Sequence, residues 1–319
     1  LLQQLYNTAD TIIVGNFNSQ QALSAVGSCA SLTALFTALA IGFSIGAGVL
    51  ISQYFGANRL EDLRRYASSS IVLMLALGLL MSVLGFCSAE LFLEKFLGTP
   101  QSLLPQAALY FKIYAVGLVF QFGYNIAAAI LRALGDSRAT LYFLLVSSVL
   151  NVVLDLLFVA GFHMGVAGAA IATVFAQYVA GIGITVYAGR RCREFLPGKE
   201  DRRFSRKILS EILDLSLLTC AQQSAMNFGI LLIQRLVDSF GPVTMAAFAA
   251  AVKIDSFAYL PVQDFGNAFS TFIAQNYGAG DRKRTRQAFI FATKLGTVIC
   301  ILAAAIIAAF AEPIIDSGK

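Results

Sequence analysis

Charged residues make up only 13% of this 319-residue chain, histidine occurs once, and the five cysteines form no CxxC pair. Soluble domains carry about 25% charged residues, so the shortage excludes that class. One histidine and scattered thiols provide neither a nucleophile with its base nor a metal cluster, which argues against a membrane-embedded enzyme. Cys29, Cys87, Cys220 and Cys300 lie in or beside apolar segments and Cys192 in a basic one; they read as reduced thiols acting as small apolar residues. A secretory signal pattern is also missing: the chain begins with Leu inside an apolar run, as expected of a sequence shortened at its front.

What fills the chain is hydrocarbon. Hydrophobic residues reach 58% and the mean hydropathy is +0.74. Apolar runs of about 20 to 30 residues, without the ten-residue dyad pattern of outer-membrane barrels, predict an all-α polytopic membrane protein. Nine spans are expected: Leu1–Val14, Ala25–Tyr54, Arg65–Ala89, Gln106–Leu134, Ala139–Phe162, Val166–Ala188, Ile208–Asp238, Thr244–Tyr277 and Ala288–Ala311. The connections after spans two, four, six and eight hold 17 of the 23 Lys and Arg, whereas Asn16–Gln21 and Gly161–Gly165 hold none. By the positive-inside rule the basic connections face the cytoplasm, with the N-terminus on the same side. The pI of about 9.0 is thus explained by the bilayer and not by nucleic acid.

A shift of 222 residues lays "ISQYFGANRLEDLRR" (Ile51–Arg65) on "IAQNYGAGDRKRTRQ" (Ile273–Gln287) without a gap. The same shift pairs Ala25 with Ala247, Phe43 with Phe265, and Ala89-Glu90 with Ala311-Glu312. Spans two and three are therefore echoed by spans eight and nine, giving six-helix repeats related by an axis along the membrane normal, a design common in secondary transporters. The expected organisation is an N-terminal lobe over residues 1–190, a basic linker over 191–207 and part of a second lobe over 208–319. A complete pair of repeats would have twelve spans and about 430 residues, so the chain reads as a fragment.

The patterns "LYNTADTIIVGN", "GAGVLISQYFGA", "YNIAAAILRALGDSRAT", "NVVLDLLFV" and "GVAGAAIAT" together resemble the MATE (multidrug and toxic compound extrusion) family, in its prokaryotic branch, over essentially the whole chain. The resemblance implies a V-shaped monomer of two six-helix lobes in the bacterial inner membrane. It also implies a cofactor-free antiporter that exports small amphipathic cations in exchange for H⁺ or Na⁺ by alternating access. A lipid-linked saccharide flippase of the same superfamily would share the fold, but its cleft needs several Arg or Lys, and the spans here hold few.

The acids carry the chemistry. A carboxylate near mid-span costs about 2.5 to 3.5 kcal/mol to insert, so Asp155 must face protein or a watery cavity. Asn151 stands at i−4 on the same helix face, where its amide can bond the carboxylate or share an ion with it. Gln3, Tyr6 and Asp10 make another single polar face in span one; span four offers Tyr110, Gln121 and Asn125, and span six Thr173. Desolvation and a second nearby carboxylate both favour the protonated form of an Asp, so two acids of one lobe can share a proton. In the family, an acid of span one and an acid of span five form the coupling cluster. By motif and spacing, the resemblance puts that cluster on Asp10 and Asp155 with Gln3, Tyr110, Asn125, Asn151 and Thr173, and Na⁺, if it is the coupling ion, at Asp10, Asn151 and Asp155.

Some members carry a Glu in span seven for Na⁺; here Gln222-Gln223 stand there, and the repeat pairs Asp10 with Leu232, so coupling is expected in the N-terminal lobe. In span eight, Lys253, Asp255 and Asp264 interrupt an apolar run that Pro261 and Gly266 loosen. They either line a substrate cleft together with Gln222 and Gln223, or form a structural ion pair. His163 reads as a bystander in an outer loop, and Arg132, Asp136 and Arg138 as a turn anchoring spans four and five or a gating ion pair. Gly42, Gly46 and Gly48 permit close helix packing.

Overall fold

The computed structural model describes residues 13, 15, 20–195, 205–238, 259 and 262–316. All regular structure among them is helical. Helix α1 runs Gln20–Gly56, α2 Leu60–Leu91 with a π turn at Phe92–Phe96, α3 Leu104–Ala133, and α4 Ser137–Asp155 with a π turn at Leu156–Gly161. Helix α5 runs Gly165–Arg191, α6 Arg206–Asp238, α7 residues 262–278 and α8 Arg282–Asp316. Spans two to nine of the sequence reading correspond to α1 to α8 in order, with α1, α2 and α8 longer than expected and residues 244–258 of span eight outside the described residues. Span one lies almost wholly outside the described residues.

Six of these helices, α1 to α5 and α8, are long and apolar enough to cross a membrane. The protein is a multi-pass membrane protein. Helix α6 is less apolar, because it carries Glu211, Asp214, Gln222, Gln223 and Arg235 along its length.

Helix α3 is the centre of the first bundle and packs against α1, α2 and α5. Its inward faces are built of small residues, Ala107, Ala108, Ala115 and Ala127 to Ala129, which let neighbouring backbones approach. Its large side chains, Phe111, Leu118 and Phe122, are fully enclosed. The outer surface is the reverse: Leu79 of α2 and Tyr142 of α4 are 59% and 65% exposed, as apolar groups that face lipid should be.

Helix α6 lies along α1. A Cβ placed at Gly42 would come 2.6 Å from the sulfur of Cys220, and one at Gly46 would come 2.6 Å from Cα of Ser216. These glycines are four apart on one helix and meet small residues four apart on the other, so close packing is their role, as expected. Ser216 Oγ also donates to the carbonyl of Phe43 at 3.1 Å.

The internal repeat is visible in the backbone. The turn after α1 closes through hydrogen bonds from the amides of Ala57, Asn58 and Arg59 to the carbonyls of Gln53, Phe55 and Tyr54. The turn after α7 uses Ala279, Gly280 and Asp281 with Gln275, Tyr277 and Asn276, each 222 positions later. Both turns pass through the left-handed region at matching places, φ 55° at Asn58 and 74° at Gly280. The two helix ends also cross in backbone contact: a Cβ at Gly56 would lie 1.8 Å from the carbonyl oxygen of Gln275, and a Cβ at Gly278 1.9 Å from that of Gln53. The exchange is reciprocal, as a two-fold relation requires.

Candidate ion-coupling site

Beyond Thr140, the buried side chains of α4 are Asn151 and Asp155, 2% and 0% exposed, while Val149 and Val153 between and beside them are 56% and 54% exposed. This inverts the amphipathic helix of a soluble protein: the apolar side faces outward and an amide and a carboxylate point into the bundle. Helix α4 ends at Asp155, and the widened π turn that follows keeps the chain helical to Gly161. Such π turns collect at functional positions.

Thr173 of α5 meets this face. Asn151 Nδ2 donates to Thr173 Oγ1 at 3.3 Å, and that hydroxyl donates to the carbonyl of Ala169 at 3.0 Å. The contact fixes the orientation of the Asn151 amide and leaves Oδ1 as its free end. Among the described residues that buried oxygen accepts no hydrogen bond. A bare amide carbonyl one helical turn from a buried carboxylate is an all-oxygen donor set, suited to a hard cation such as Na⁺ or to a protonated carboxyl.

The structure thus brings together Asn151, Asp155 and Thr173. Tyr110 is buried on α3 in the cluster that includes Val159, Val166 and Ala169. Asn125, half-buried on α3, donates from Nδ2 to the carbonyl of Gln121 at 2.8 Å, one turn back along the same helix. Gln3, Asp10, Lys253 and Asp255 lie outside the described residues, as does the side chain of Gln223. Gln222 is exposed on α6, and Asp264 is exposed on α7 within electrostatic reach of Arg132.

A second polar cluster was not recognised as a unit from the sequence, where Gln121 alone of its members was named. Thr37 of α1 and Tyr114 and Gln121 of α3 form a closed ring of hydrogen bonds, 2.9 to 3.1 Å long, in the middle of the bundle. Gln177 of α5 stands beside the Tyr114 hydroxyl. The signal was present for half of it, since Tyr114 and Gln121 are seven apart on the face that carries Tyr110. Thr37 has Thr33 and Ser44 at helical spacing, but those hydroxyls bond carbonyls of their own helix, as hydroxyls in apolar helices commonly do, so the pattern marks no site.

At the basic end, Asp136 caps α4 by accepting from the amide of Ala139 at 3.2 Å and takes a 2.8 Å hydrogen bond from Tyr187. Among the described residues the ion pairs are Arg59 with Asp62, Arg65 with Glu61, and Lys112 with Glu90, so Asp136 anchors a turn and forms no pair with Arg132 or Arg138. Burial pushes the Cys192 thiol up from its ordinary range, and the charge of Asp136 adds to this. His163 sits exposed in its turn with φ 54°. The two lobes touch near the same end: the hydroxyl of Tyr66 donates to Glu211 of α6, and Gln275 Nε2 donates to the carbonyl of Ala133 at 2.8 Å.

Comparison with known proteins gives the family. The family model MatE matches residues 1–157 and 219–318. The chain belongs to the MatE family. The probable multidrug resistance protein YpnP of Bacillus subtilis (strain 168) is 31% identical over 283 residues, covering 89% of this chain and 63% of YpnP. The probable multidrug resistance protein NorM of Thermotoga maritima is 26% identical over 328 residues, 99% of this chain and 68% of NorM. A multidrug resistance MATE family transporter solved in an outward-facing conformation superposes with a TM-score of 0.90 at 26% identity, over 98% of this chain and 69% of that one. The chain spans 63% of the length of the curated relatives YpnP and YoeA. As a MatE member it has the family's two-lobed helical fold.

Proposed function

We propose that this protein is a secondary active transporter that exports small amphipathic organic cations in exchange for H⁺ or Na⁺. In this reading coupling resides in the N-terminal lobe, residues 1–190, joined by the basic linker 191–207 to the second lobe over 208–319. The observation that carries it is the inward polar face of α4, with Asp155 at 0% exposure and the adjacent Asn151 carbonyl accepting no hydrogen bond among the described residues. A membrane helix retains such a face when something charged is bound and released there.

Asp155 is the ion-binding carboxylate and Asn151 the second ligand, held in orientation by Thr173. Asp10 and Gln3, brought from span one, complete the site, with Tyr110 and Asn125 of α3 as its further polar groups. If Na⁺ is the coupling ion it sits at Asp10, Asn151 and Asp155; if H⁺, the two acids share it. Lys253, Asp255, Asp264, Gln222 and Gln223 are assigned to the substrate path between the lobes. The site needs no organic cofactor, and one chain holds all of it, so a monomer in the bacterial inner membrane suffices. The basic end, including the N-terminus, faces the cytoplasm. Contacts between α1 and α6 at Gly42 and Gly46, and between α1 and α7 at Gly56, close that side, which supports an outward-facing state. Relatives named for multidrug resistance support the choice of substrate class.

In cells expressing the transporter, Asp155→Asn should abolish export of ethidium while the amount of protein in the membrane is unchanged. Export at the wild-type rate by that variant would overturn the assignment.

A further inference from the structure

The outward side of α3, between α2 and α5, carries a furrow open to the bilayer. In the half nearer the basic end, Ile71 and Leu75 of α2, Gly123 and Ile130 of α3, and Ile182 and Val186 of α5 line an apolar cavity of about 290 Å³. Leu75, Ile182 and Val186 form its exposed rims. Its floor drops where Gly123 has no side chain, and Gly181 lets α5 approach: a Cβ there would come 2.9 Å from the carbonyl oxygen of Phe120. Along α3 the cavity runs from Val119 to Ile130, about 16 Å at the rise of an α-helix. That is half of a hydrocarbon core roughly 30 Å thick, the depth of one leaflet.

Charge gathers at the basic mouth of this groove. Helices α2 and α3 are antiparallel neighbours, and Leu75 meets Gly123, 3.5 Å from where a Cβ would be. Eleven residues from that contact towards the basic end lie Arg64 on α2 and Leu134 on α3, so Arg64 stands just beyond Ile130. Arg64 is also seven residues before Ile71, on the same helix face. Its Nε donates at 2.8 Å to the carbonyl of Glu194, in the turn after α5, which draws the guanidinium across the mouth towards the exposed Arg193. Neither arginine is in an ion pair among the described residues, and the nearby acids of α2, Asp62 and Glu61, are held by Arg59 and Arg65. Glu194 is the one acid in the turn, against Arg64, Arg190, Arg191 and Arg193, so the mouth is positive.

The far half of the furrow supplies an internal comparison. Beyond the edge-to-face pair of Phe120 and Tyr178, 4.9 Å between ring centroids, Leu109, Ile113, Val116 and Val174 line a second apolar groove. The charged residue on its wall, Lys112, is bound to Glu90 at 2.7 Å. The two grooves share their apolar chemistry and differ in the charge left at the end.

We propose that the groove nearer the basic end is a binding site for an anionic phospholipid, with one acyl chain lying over Gly123 and Ala127 and the phosphate held by Arg64 and Arg193. Guanidinium groups bind phosphate through paired N–H donors. Anionic headgroups collect at basic pockets between helices at the membrane surface, where each Arg strengthens their binding about five-fold. The far groove, its lysine already paired, takes acyl chains without regard to headgroup charge. This inference does not depend on what the protein transports.

The test exploits the lack of Trp in these 319 residues. Full-length protein carrying Leu75→Trp, or Val186→Trp should the first variant fail to fold, places a fluorophore on the rim of the proposed site, and Val116→Trp places one on the far groove. Each is put into lipid nanodiscs with the same lipids in both leaflets, containing increasing fractions of phosphatidylglycerol or phosphatidylcholine brominated on the acyl chains, and the emission of the parent protein is subtracted. At Leu75→Trp or Val186→Trp, half-quenching should need about five-fold less brominated phosphatidylglycerol than phosphatidylcholine, or less still. At Val116→Trp the two lipids should quench alike. Adding Arg64→Gln with Arg193→Gln should abolish the preference at the proposed site while quenching by phosphatidylcholine continues. Equal quenching by both lipids at the proposed site, the same preference in both grooves, or a preference that survives loss of the two arginines would each overturn the proposal. So would the absence of quenching by either lipid, which would mean that something other than lipid covers the groove.

Discussion

Gly56 and Gly278 lie 222 positions apart in the chain, yet each is pressed against the backbone of the other's helix, Gly56 on Gln275 and Gly278 on Gln53. Neither position has room for a methyl group. Because the opposing atoms are backbone carbonyls, relief requires the helices themselves to separate.

Gly56→Ala and Gly278→Ala should therefore each push the basic ends of α1 and α7 apart, at about 1 to 3 kcal/mol for the closed form. The repeat makes the two substitutions equivalent, so their effects should be similar in size. Alkylation of Cys introduced at Ser52, fully buried on α1 near the crossing, measures the opening: the rate should rise in both variants and remain slow in the wild type.

The crossing also shows what the sequence could and could not convey. The aligned "SQYFGA" and "AQNYGA" disclosed that two segments are related, and the turn hydrogen bonds repeat residue for residue. That the related segments touch each other is a property of the packing, and sequence similarity carries no distances. The inward face of α4 was legible because Asn151 and Asp155 share a helical spacing against an apolar background. Asn125 was grouped with them through family resemblance, and its amide bonds the carbonyl of Gln121 on its own helix. Gln121 was named, but its ring with Thr37 and Tyr114 was missed because it joins two helices distant in sequence, and a Thr in a span has many bland explanations.

Thr173→Val keeps the shape of the side chain but removes both hydrogen bonds of the hydroxyl, leaving Asn151 Nδ2 with no acceptor. The loss should cost about 1 to 3 kcal/mol and release the orientation of the Asn151 carbonyl. Affinity for the coupling ion, read from the ion concentration that half-saturates transport, should fall about ten-fold or more, and Thr173→Ser should restore most of it.

Asp136→Ala removes the cap of α4 and the acceptor for Tyr187 together. Loss of a cap costs about 0.5 to 2 kcal/mol. The midpoint of thermal unfolding in detergent should fall, with Asp136→Asn, which still caps, much closer to wild type.

Cys192 offers a check on electrostatics outside the membrane. Burial and the nearby Asp136 both disfavour its thiolate, so its pKa is raised and the neutral thiol dominates at pH 7. Maleimide should react with Cys192 about ten-fold or more slowly than with an exposed thiol at that pH, with the rate still climbing above pH 9. Asp136→Asn, by removing the neighbouring charge, should speed the reaction.

The central claim is that Asp155 binds the coupling ion, and uphill transport tests it most directly. Purified full-length transporter in proteoliposomes should accumulate a fluorescent cation above its equilibrium level when driven by a pH gradient or by a Na⁺ gradient, each imposed alone. With Asp155→Asn, neither gradient should drive accumulation, although the substrate still binds. Uphill accumulation by that variant at the wild-type level would contradict the account.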